Sequence, residues 1–341
     1  MPADNLLSPL LMQSLATAAV AAPSADNHQV VRLRVAGDGM LQLRATSAFA
    51  AAGGHRRVLG WLSTGAVLEN LQLRAQRLGL QLDEQPPSSA DAGDPRHLLW
   101  LRAQPAVPGA AGDAALEAEI ERRHSNRRLR FAGPPLPLDA QQQLDADAAA
   151  RGQARLLWLD SAPRRRAALQ LIRDAESERF RDRELHRELF ESIRFDLGWR
   201  QAATEGLAPA TLELPAPERP SFALLRHWPL QRAANLLGAH RFIGWRAADL
   251  PCRLAPHLLV IAADAAGGAA DKAALQAGRA LQRVWLRSSA LGLALQVFAA
   301  SPLYALAGAS PLPAEAQRRL HDGWHALCGD AAVAHIVCRL G

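Results

Sequence analysis

The sequence has little cysteine and few aromatic side chains. Three cysteines in 341 residues (Cys252, Cys328 and Cys338) are too few for a disulfide scaffold and fit a reducing compartment. Aromatic residues make up 5% of the chain, and its apolar content is mostly Ala and Leu, which favours helices over an all-β sandwich. No apolar run approaches the roughly 20 residues that a membrane span needs. We therefore expect a helix-rich cytoplasmic protein with no membrane partner.

Lysine is almost absent, because Lys272 is the only one among 39 basic residues. Arginine suits phosphate binding, since its guanidinium stays charged and makes bidentate contacts. Codon bias in a GC-rich genome would give the same composition without any function. The net charge is +6, but the arginines alternate with acids along most of the chain. Binding to nucleic acid requires a basic stripe with aromatic residues beside it, so no nucleic-acid partner is expected.

The N-terminal apolar stretch, residues 6–22, superficially resembles a signal peptide. It lacks a basic region before it, and polar residues such as Ser8 and Gln13 interrupt it. We interpret the stretch as an amphipathic first helix that leads into the turn at Pro23-Ser24.

Turn-forming residues divide the chain into two halves. A Pro/Gly/Ala-rich stretch over 105–112 predicts a boundary between residues 1–108 and 109–341. Gly37-Asp38-Gly39 predicts a hairpin, and an insertion of about residues 170–250 lies in the second half. The predicted strands are 30–35, 40–44, 97–103, 155–160, 256–263 and 333–340, and the predicted helices are 56–80, 113–122, 164–194, 230–237 and 270–291.

The two halves share a repeated helical segment. Residues 65–82 align without a gap with residues 278–295, and eight of the eighteen positions are identical. The identities include Gly65 with Gly278 and Arg74 with Arg287. The alignment predicts an internal duplication in which two long helices pack around a pseudo-twofold axis, as in a homodimer.

Arg123-x-Ser125-x-Arg127 is the strongest chemical signal. In an extended chain, residues two apart point to one face, which would align two guanidinium groups and a hydroxyl. Such a row suits a phosphate monoester. A solvated basic turn is the alternative.

The second signal is Pro23-Ser24-x-x-Asn27-x-Gln29. Its Ser, Asn and Gln supply neutral donors and acceptors that could bind the polar edge of a flat heterocycle. An ordinary Asx or Ser turn is the alternative.

Together these stretches resemble the nitroreductase family of FMN proteins. In that family Arg-x-Ser-x-Arg binds the FMN phosphate, and Pro-Ser-x-x-Asn-x-Gln contacts the isoalloxazine from the other subunit of a homodimer. Both stretches here lie in one chain, which resembles the fused (Acg-like) subfamily. Residues 277–294 are similar to the family's interface helix, and residues 336–341 are similar to its closing strand, which adds Arg339 to the implied cofactor-binding residues.

The resemblance implies an α+β, nitroreductase-like fold whose tandem halves form an intramolecular pseudo-dimer. It implies an oxidoreductase that passes a hydride from NAD(P)H through FMN to a nitroaromatic, quinone or related small-molecule acceptor, without a catalytic side chain. We expect a monomer or a weak homodimer. The alternative is a non-enzymatic protein that binds or sequesters flavin, with the insertion closed over it as a lid.

The sequence departs from the family pattern in three places. Val30-Val31 replaces the family's Pro-Trp, and residues 301–304 lack its polar stretch. The first half has no Arg-x-Ser-x-Arg of its own, so we expect one FMN per chain. His321 and His325 have helical metal-ligand spacing, but no clear further ligand accompanies them, so we expect no metal.

Overall fold

The computed structural model describes residues 7–36, 40–87, 93–106, 113–152, 154–264 and 270–341. The predicted hairpin residues Gly37-Asp38-Gly39 and the predicted boundary after residue 108 lie outside the described residues. The described chain is α+β, with two four-stranded antiparallel sheets and many helices.

The first sheet contains β1 (Val31–Val35), β2 (Met40–Ala45), β3 (Leu80–Gln85) and β4 (His97–Pro105), in the spatial order β1-β2-β4-β3. Leu41 lies opposite Leu101 and Leu43 opposite Leu99 in the central pair of strands. Residues two apart on a strand share a face, so Leu41 and Leu43 are buried together against the helices.

The second sheet contains β5 (Ala154–Trp158), β6 (His257–Asp264), β7 (Leu295–Phe298) and β8 (Ala332–Leu340), in the order β5-β6-β8-β7. Each strand therefore has the same place in its sheet as its counterpart in the first sheet. Strands β6 and β8 are buried along almost their whole length, because helices cover both faces.

The helices vary from one turn to six turns. In chain order they are α1 (Pro9–Val20), α2 (Ser47–Ala50), α3 (Gly54–Arg77), α4 (Ala114–Glu117), α5 (Leu138–Ala149), α6 (Ala162–Arg181), α7 (Arg183–Glu191), α8 (Arg219–Leu225), α9 (Trp228–Leu236), α10 (Ala239–Gly244), α11 (Leu250–Arg253), α12 (Ala270–Ala290), α13 (Ala300–Ala305) and α14 (Ala314–Cys328). None of the helices in the described part of the chain is long and apolar enough to cross a membrane.

The long helices α3 and α12 cross at a pair of glycines. A Cβ atom added to Gly65 would lie 2.0 Å from the Leu275 carbonyl oxygen, and one added to Gly278 would lie 2.0 Å from the Leu62 carbonyl oxygen. The two contacts are equivalent when the alignment is extended by three residues: Leu62 has the place in α3 that Leu275 has in α12. The two close contacts are therefore reciprocal, and only glycine allows the backbones to approach so closely.

Polar side chains beside this crossing form pairs with the same reciprocal arrangement. The buried Gln282 amide donates to the Asn70 side-chain oxygen at 2.6 Å, and Arg283 donates to the buried Glu69 carboxylate at 3.0 Å. Arg151 binds the same carboxylate through two hydrogen bonds of 3.0 Å. Glu69 is thus neutralised by arginines in an otherwise closed interface.

The insertion differs from its predicted form. The predicted insertion, about residues 170–250, lies within the chain that joins β5 to β6. The range 164–194 is mostly helical, as predicted, but it forms two helices, α6 and α7. The helix breaks at Asp182, whose carboxylate accepts from the amides of Glu184 and Leu185. A side-chain cap of this kind starts a new helix, α7, in a new direction.

Candidate functional site

The two predicted binding stretches lie together, although about a hundred residues separate them in sequence. The Arg123 guanidinium donates to the carbonyl oxygen of Ala21 at 3.2 Å, just before Pro23. The same guanidinium lies 4.4 Å from the ring centre of Trp285 on α12. The site is therefore at the junction of the N-terminal turn, the loop after α4 and the crossing helix.

Arg123 has no carboxylate partner in the described part of the chain. Its Nε atom is buried and makes no hydrogen bond there. Burial lowers the pKa of Arg123 to about 10, because its charge is poorly solvated and nothing negative compensates it. Such a guanidinium is a candidate for binding an anion.

Arg127 lies in the same irregular loop and faces the insertion. Its side chain donates to the Thr211 carbonyl oxygen at 3.1 Å, and its backbone amide donates to the Glu213 carboxylate. Burial lowers the pKa of Arg127, and the nearby carboxylates of Asp26 and Glu213 oppose that change. Ser125 lies half-buried between the two arginines in sequence.

The stretch from Pro23 to Gln29 forms a tight turn. Asp26 and Asn27 have φ of 53° and 59°, the left-handed conformation that Asp and Asn tolerate better than most residues. The Gln29 amide donates to the Val20 carbonyl oxygen at 3.5 Å, while Ser24 makes no capping bond. Backbone hydrogen bonds hold this turn, from the Asn27 amide to the Ser24 carbonyl oxygen at 3.2 Å and from the His28 amide to that of Ala25 at 3.0 Å, and no described residue donates to the Gln29 side-chain oxygen.

Residues 203–213 of the insertion contact both predicted stretches; we call them the covering segment. The Asn27 amide donates to the carbonyl oxygens of Ala203 at 3.4 Å and Gly206 at 3.2 Å, and the Gly206 amide donates back to the Asn27 carbonyl oxygen. At its other end the segment contacts Arg127 through Thr211 and Glu213, as described above. One segment of the chain therefore occupies the polar groups predicted to bind a ligand.

Arg339 lies in the interior of the second half. It is fully buried and donates to Gln296, to the carbonyl oxygens of Leu129 and Pro251 at 2.9 Å each, and to that of Arg128. Its guanidinium also lies 3.9 Å from the ring centre of Phe131. These contacts give Arg339 a structural role: it fixes the end of the loop that carries Arg123 and Arg127.

A second ionisable cluster lies where the N-terminal end of α3 meets the insertion. Glu188 accepts from His55 at 3.0 Å and pairs with Arg56 at 2.9 Å. The His55 ring meets the buried Tyr304 ring edge-on, and burial raises the pKa of Tyr304 to about 12. The cluster ties α3 to α7.

Sequence reasoning missed Trp285, Asp26 and Glu213 as members of the site. Trp285 falls within the aligned repeat but opposite Gln72, and this difference between the halves is a signal that could have found it. Glu213 has φ of 51°, which no sequence pattern indicates. The small cavities beside Trp61 and beside Arg74 lie away from the predicted stretches.

Comparison with known proteins gives solved structures only. No protein-family model matches the sequence, and no curated protein gives a significant match. One similar structure is the FMN-dependent nitroreductase NfnB from Mycobacterium smegmatis in complex with NADPH, with 17% identity, a TM-score of 0.32, and coverage of 67% of this chain and 87% of that one. Another is a mutant of an FMN- and NADPH-dependent nitroreductase NfnB from a Sphingopyxis strain, with 16% identity, a TM-score of 0.32, and coverage of 66% and 86%. These values do not establish a family for the chain.

Proposed function

We propose that this chain is an FMN-dependent oxidoreductase of the nitroreductase family, in which one fused chain supplies both sides of a single flavin site. The observation that carries the proposal is Arg123, a guanidinium with a buried, unpaired Nε and no carboxylate partner in the described residues, located where the two predicted binding stretches meet. A phosphate monoester would supply the missing negative charge.

The donor set fits the phosphate end of FMN. One short loop carries the three donors, Arg123, Ser125 and Arg127. The Trp285 ring packs against the Arg123 guanidinium. The turn would orient the ring through its residues Pro23, Ser24, Asn27 and Gln29. The amide oxygens in question are those of the Asn27 and Gln29 side chains. Arg339 would act indirectly, by holding the loop through its carbonyl contacts.

FMN would supply the redox chemistry: it accepts a hydride from NAD(P)H and passes electrons to a nitroaromatic, quinone or similar acceptor. The chain's own residues bind and orient the cofactor and control access to it. The covering segment must leave Asn27 and Arg127 before an acceptor can approach the ring. The strength of its contacts would therefore limit the rate of turnover. A covering segment that stays closed would give the alternative, a cytoplasmic protein that sequesters flavin.

The test begins with FMN binding. Titration of the flavin-free protein should give one FMN per chain, in a monomer or in a dimer that keeps FMN on dissociation. Arg127→Ala should weaken binding about 10- to 150-fold, because a hydrogen bond to a charged group is worth about 1.5–3 kcal/mol. Arg123→Met, which keeps the aliphatic contact with Trp285, should weaken binding by a similar factor.

Arg183→Ala is the matched control, because Arg183 is exposed on α7 and makes no ion pair in the described chain. Equal FMN affinity in the wild type and Arg127→Ala contradicts the phosphate assignment. Oxidation of NADH or NADPH with a nitroaromatic or quinone acceptor then separates the two functions. Tight FMN binding without turnover supports sequestration, and turnover supports the oxidoreductase.

A further inference from the structure

Helix α9 has its polar residues inside and its leucines outside. Leu236 is 86% exposed and Leu237, just beyond the helix end, is 92% exposed, whereas Gln231 is completely buried. In a globular protein the apolar face of a surface helix normally packs on the core. Here the usual arrangement is inverted.

Specific hydrogen bonds fix this orientation. The Asn235 amide donates to the Phe180 carbonyl oxygen at 2.9 Å, at the end of α6, and the Gln231 amide donates to the Asn235 side-chain oxygen at 2.7 Å. Trp228 packs on the same inner side against the His186 ring, with 5.2 Å between ring centres. Turning the helix to bury its leucines would leave these amides and the carbonyl unpaired, which is costly.

The outward face of α9 is almost entirely apolar. Helical spacing places five residues on that side: Pro229, Leu230, Ala233, Leu236 and Leu237. All five are exposed, and Leu230 is 50% exposed. Phe242, 63% exposed, extends the surface onto α10. We call these six residues the leucine face.

The chain segment that carries the leucine face is rich in positive charge. Residues 219–246 contain five arginines and no acidic residue. Arg232 and Arg241 are exposed, and neither makes an ion pair with any described residue. Of the five, only Arg246 pairs with a carboxylate in the described chain, that of Glu218. An exposed apolar helix face with unpaired arginines next to it in the chain, here Arg232 and Arg241, is the composition of a helix that lies in the surface of an anionic bilayer.

The charges and the size of the surface select among possible occupants. A second copy of this chain would bring the same arginines together, because a twofold interface faces itself. A nine-residue helix is only about 13 Å long, and a stable protein partner usually covers about 800 Å² on each side. We propose that the leucine face binds the surface of an anionic membrane peripherally, with the leucines and Phe242 among the acyl chains and the arginines at the headgroups. This needs no spanning segment and does not depend on the flavin proposal.

The test is co-sedimentation of the full chain with vesicles, with and without FMN. Binding to vesicles of equal parts phosphatidylcholine and phosphatidylglycerol is expected, with little binding to phosphatidylcholine alone. The double variant Leu236→Ser with Leu237→Ser should bind at least about tenfold more weakly, because each leucine loses its apolar burial. Arg232→Gln should weaken binding about fivefold and reduce the effect of salt.

The matched control is Leu10→Ser with Leu138→Ser, two leucines that are similarly exposed elsewhere. It should bind like the wild type, and both double variants should keep the wild-type melting temperature. Three results would overturn the proposal: no binding of the wild type to anionic vesicles, equal binding to neutral ones, or equal binding by the two double variants. A concentration-dependent dimer that only Leu236→Ser with Leu237→Ser abolishes would assign the face to a second copy instead.

Discussion

The two sheets have the same strand order, but the connections between their strands differ greatly. A few residues join β1 to β2, whereas almost a hundred join β5 to β6 and form the insertion. The shared part is the strand-strand-helix-strand-strand unit whose long helices cross at Gly65 and Gly278. The added part contains the covering segment and the leucine face. On the proposed function, the unit with the shared strand order would provide the scaffold, and the insertion would control what reaches the site.

Glu69 gives the largest expected effect on the scaffold. Glu69→Gln leaves Arg151, Arg279 and Arg283 around a neutral group in a closed interface. Breaking a buried ion pair in this way costs about 3–5 kcal/mol of unfolding free energy. Urea unfolding measures the loss, and Gln282→Leu at the pseudo-equivalent position should cost less, about 1–3 kcal/mol, because it breaks a neutral bond.

The glycine crossing should behave symmetrically. Gly65→Ala and Gly278→Ala each place a Cβ against a carbonyl oxygen of the other helix and should cost at least about 3 kcal/mol. Gly93→Ala, where an added Cβ meets nothing within 4 Å, is the control. A large loss of unfolding free energy at one glycine and none at the other would show that the two halves do not contribute equally to the crossing. That result would contradict the comparison.

The covering segment should compete with the cofactor. Glu213→Gly removes the carboxylate that binds the Arg127 amide and relieves the left-handed φ of 51°. On the proposed function, FMN affinity should rise roughly tenfold, the value of one hydrogen bond to a charged group. Glu205→Gly, in the same segment but paired only with the exposed His28, should change affinity little. Lower affinity in Glu213→Gly would mean that the segment helps to hold FMN.

The smallest expected effect is an acid weakening of the insertion. Burial lowers the pKa of His186 below its ordinary value, while its Nε2 hydrogen bond to the Leu225 carbonyl oxygen opposes that change. The unfolded chain therefore takes up the proton first, and stability is lost as the pH falls from neutral through the ordinary histidine pKa of about 6.5. Amide hydrogen exchange in α7 should accelerate over that range. His186→Gln, which keeps a donor but does not titrate, should flatten the response.

Sequence patterns located the scaffold well. The apolar periodicity and the paired glycines placed both long helices within two or three residues of α3 and α12, and they indicated that Gly65 and Gly278 are equivalent. Local patterns can do this because helix periodicity and close approach are encoded by neighbouring residues. The strands β3 and β7 were missed, since each follows directly on the end of a predicted helix.

The site was predictable only in part. The sequence proposes two binding stretches, and their role stays a prediction. The contacts of Asn27 with Ala203 and of Arg127 with Glu213 depend on where a long insertion folds back. The inward orientation of Gln231 was also hidden, because its partner is a carbonyl oxygen fifty residues earlier. Side chains that bind distant backbone leave no periodic trace in the sequence.

The crossing of α3 and α12 within one chain removes a constraint that a homodimer cannot avoid. In a symmetric dimer every substitution appears on both sides of the axis at once, so a buried carboxylate would be present twice in the interface. Here Glu69 and Gln282 occupy equivalent positions, and one is charged while the other is neutral. A single chain can therefore specialise one side of such an interface and leave the other unchanged, which on the proposed function would allow one binding site to be kept without a symmetric second one.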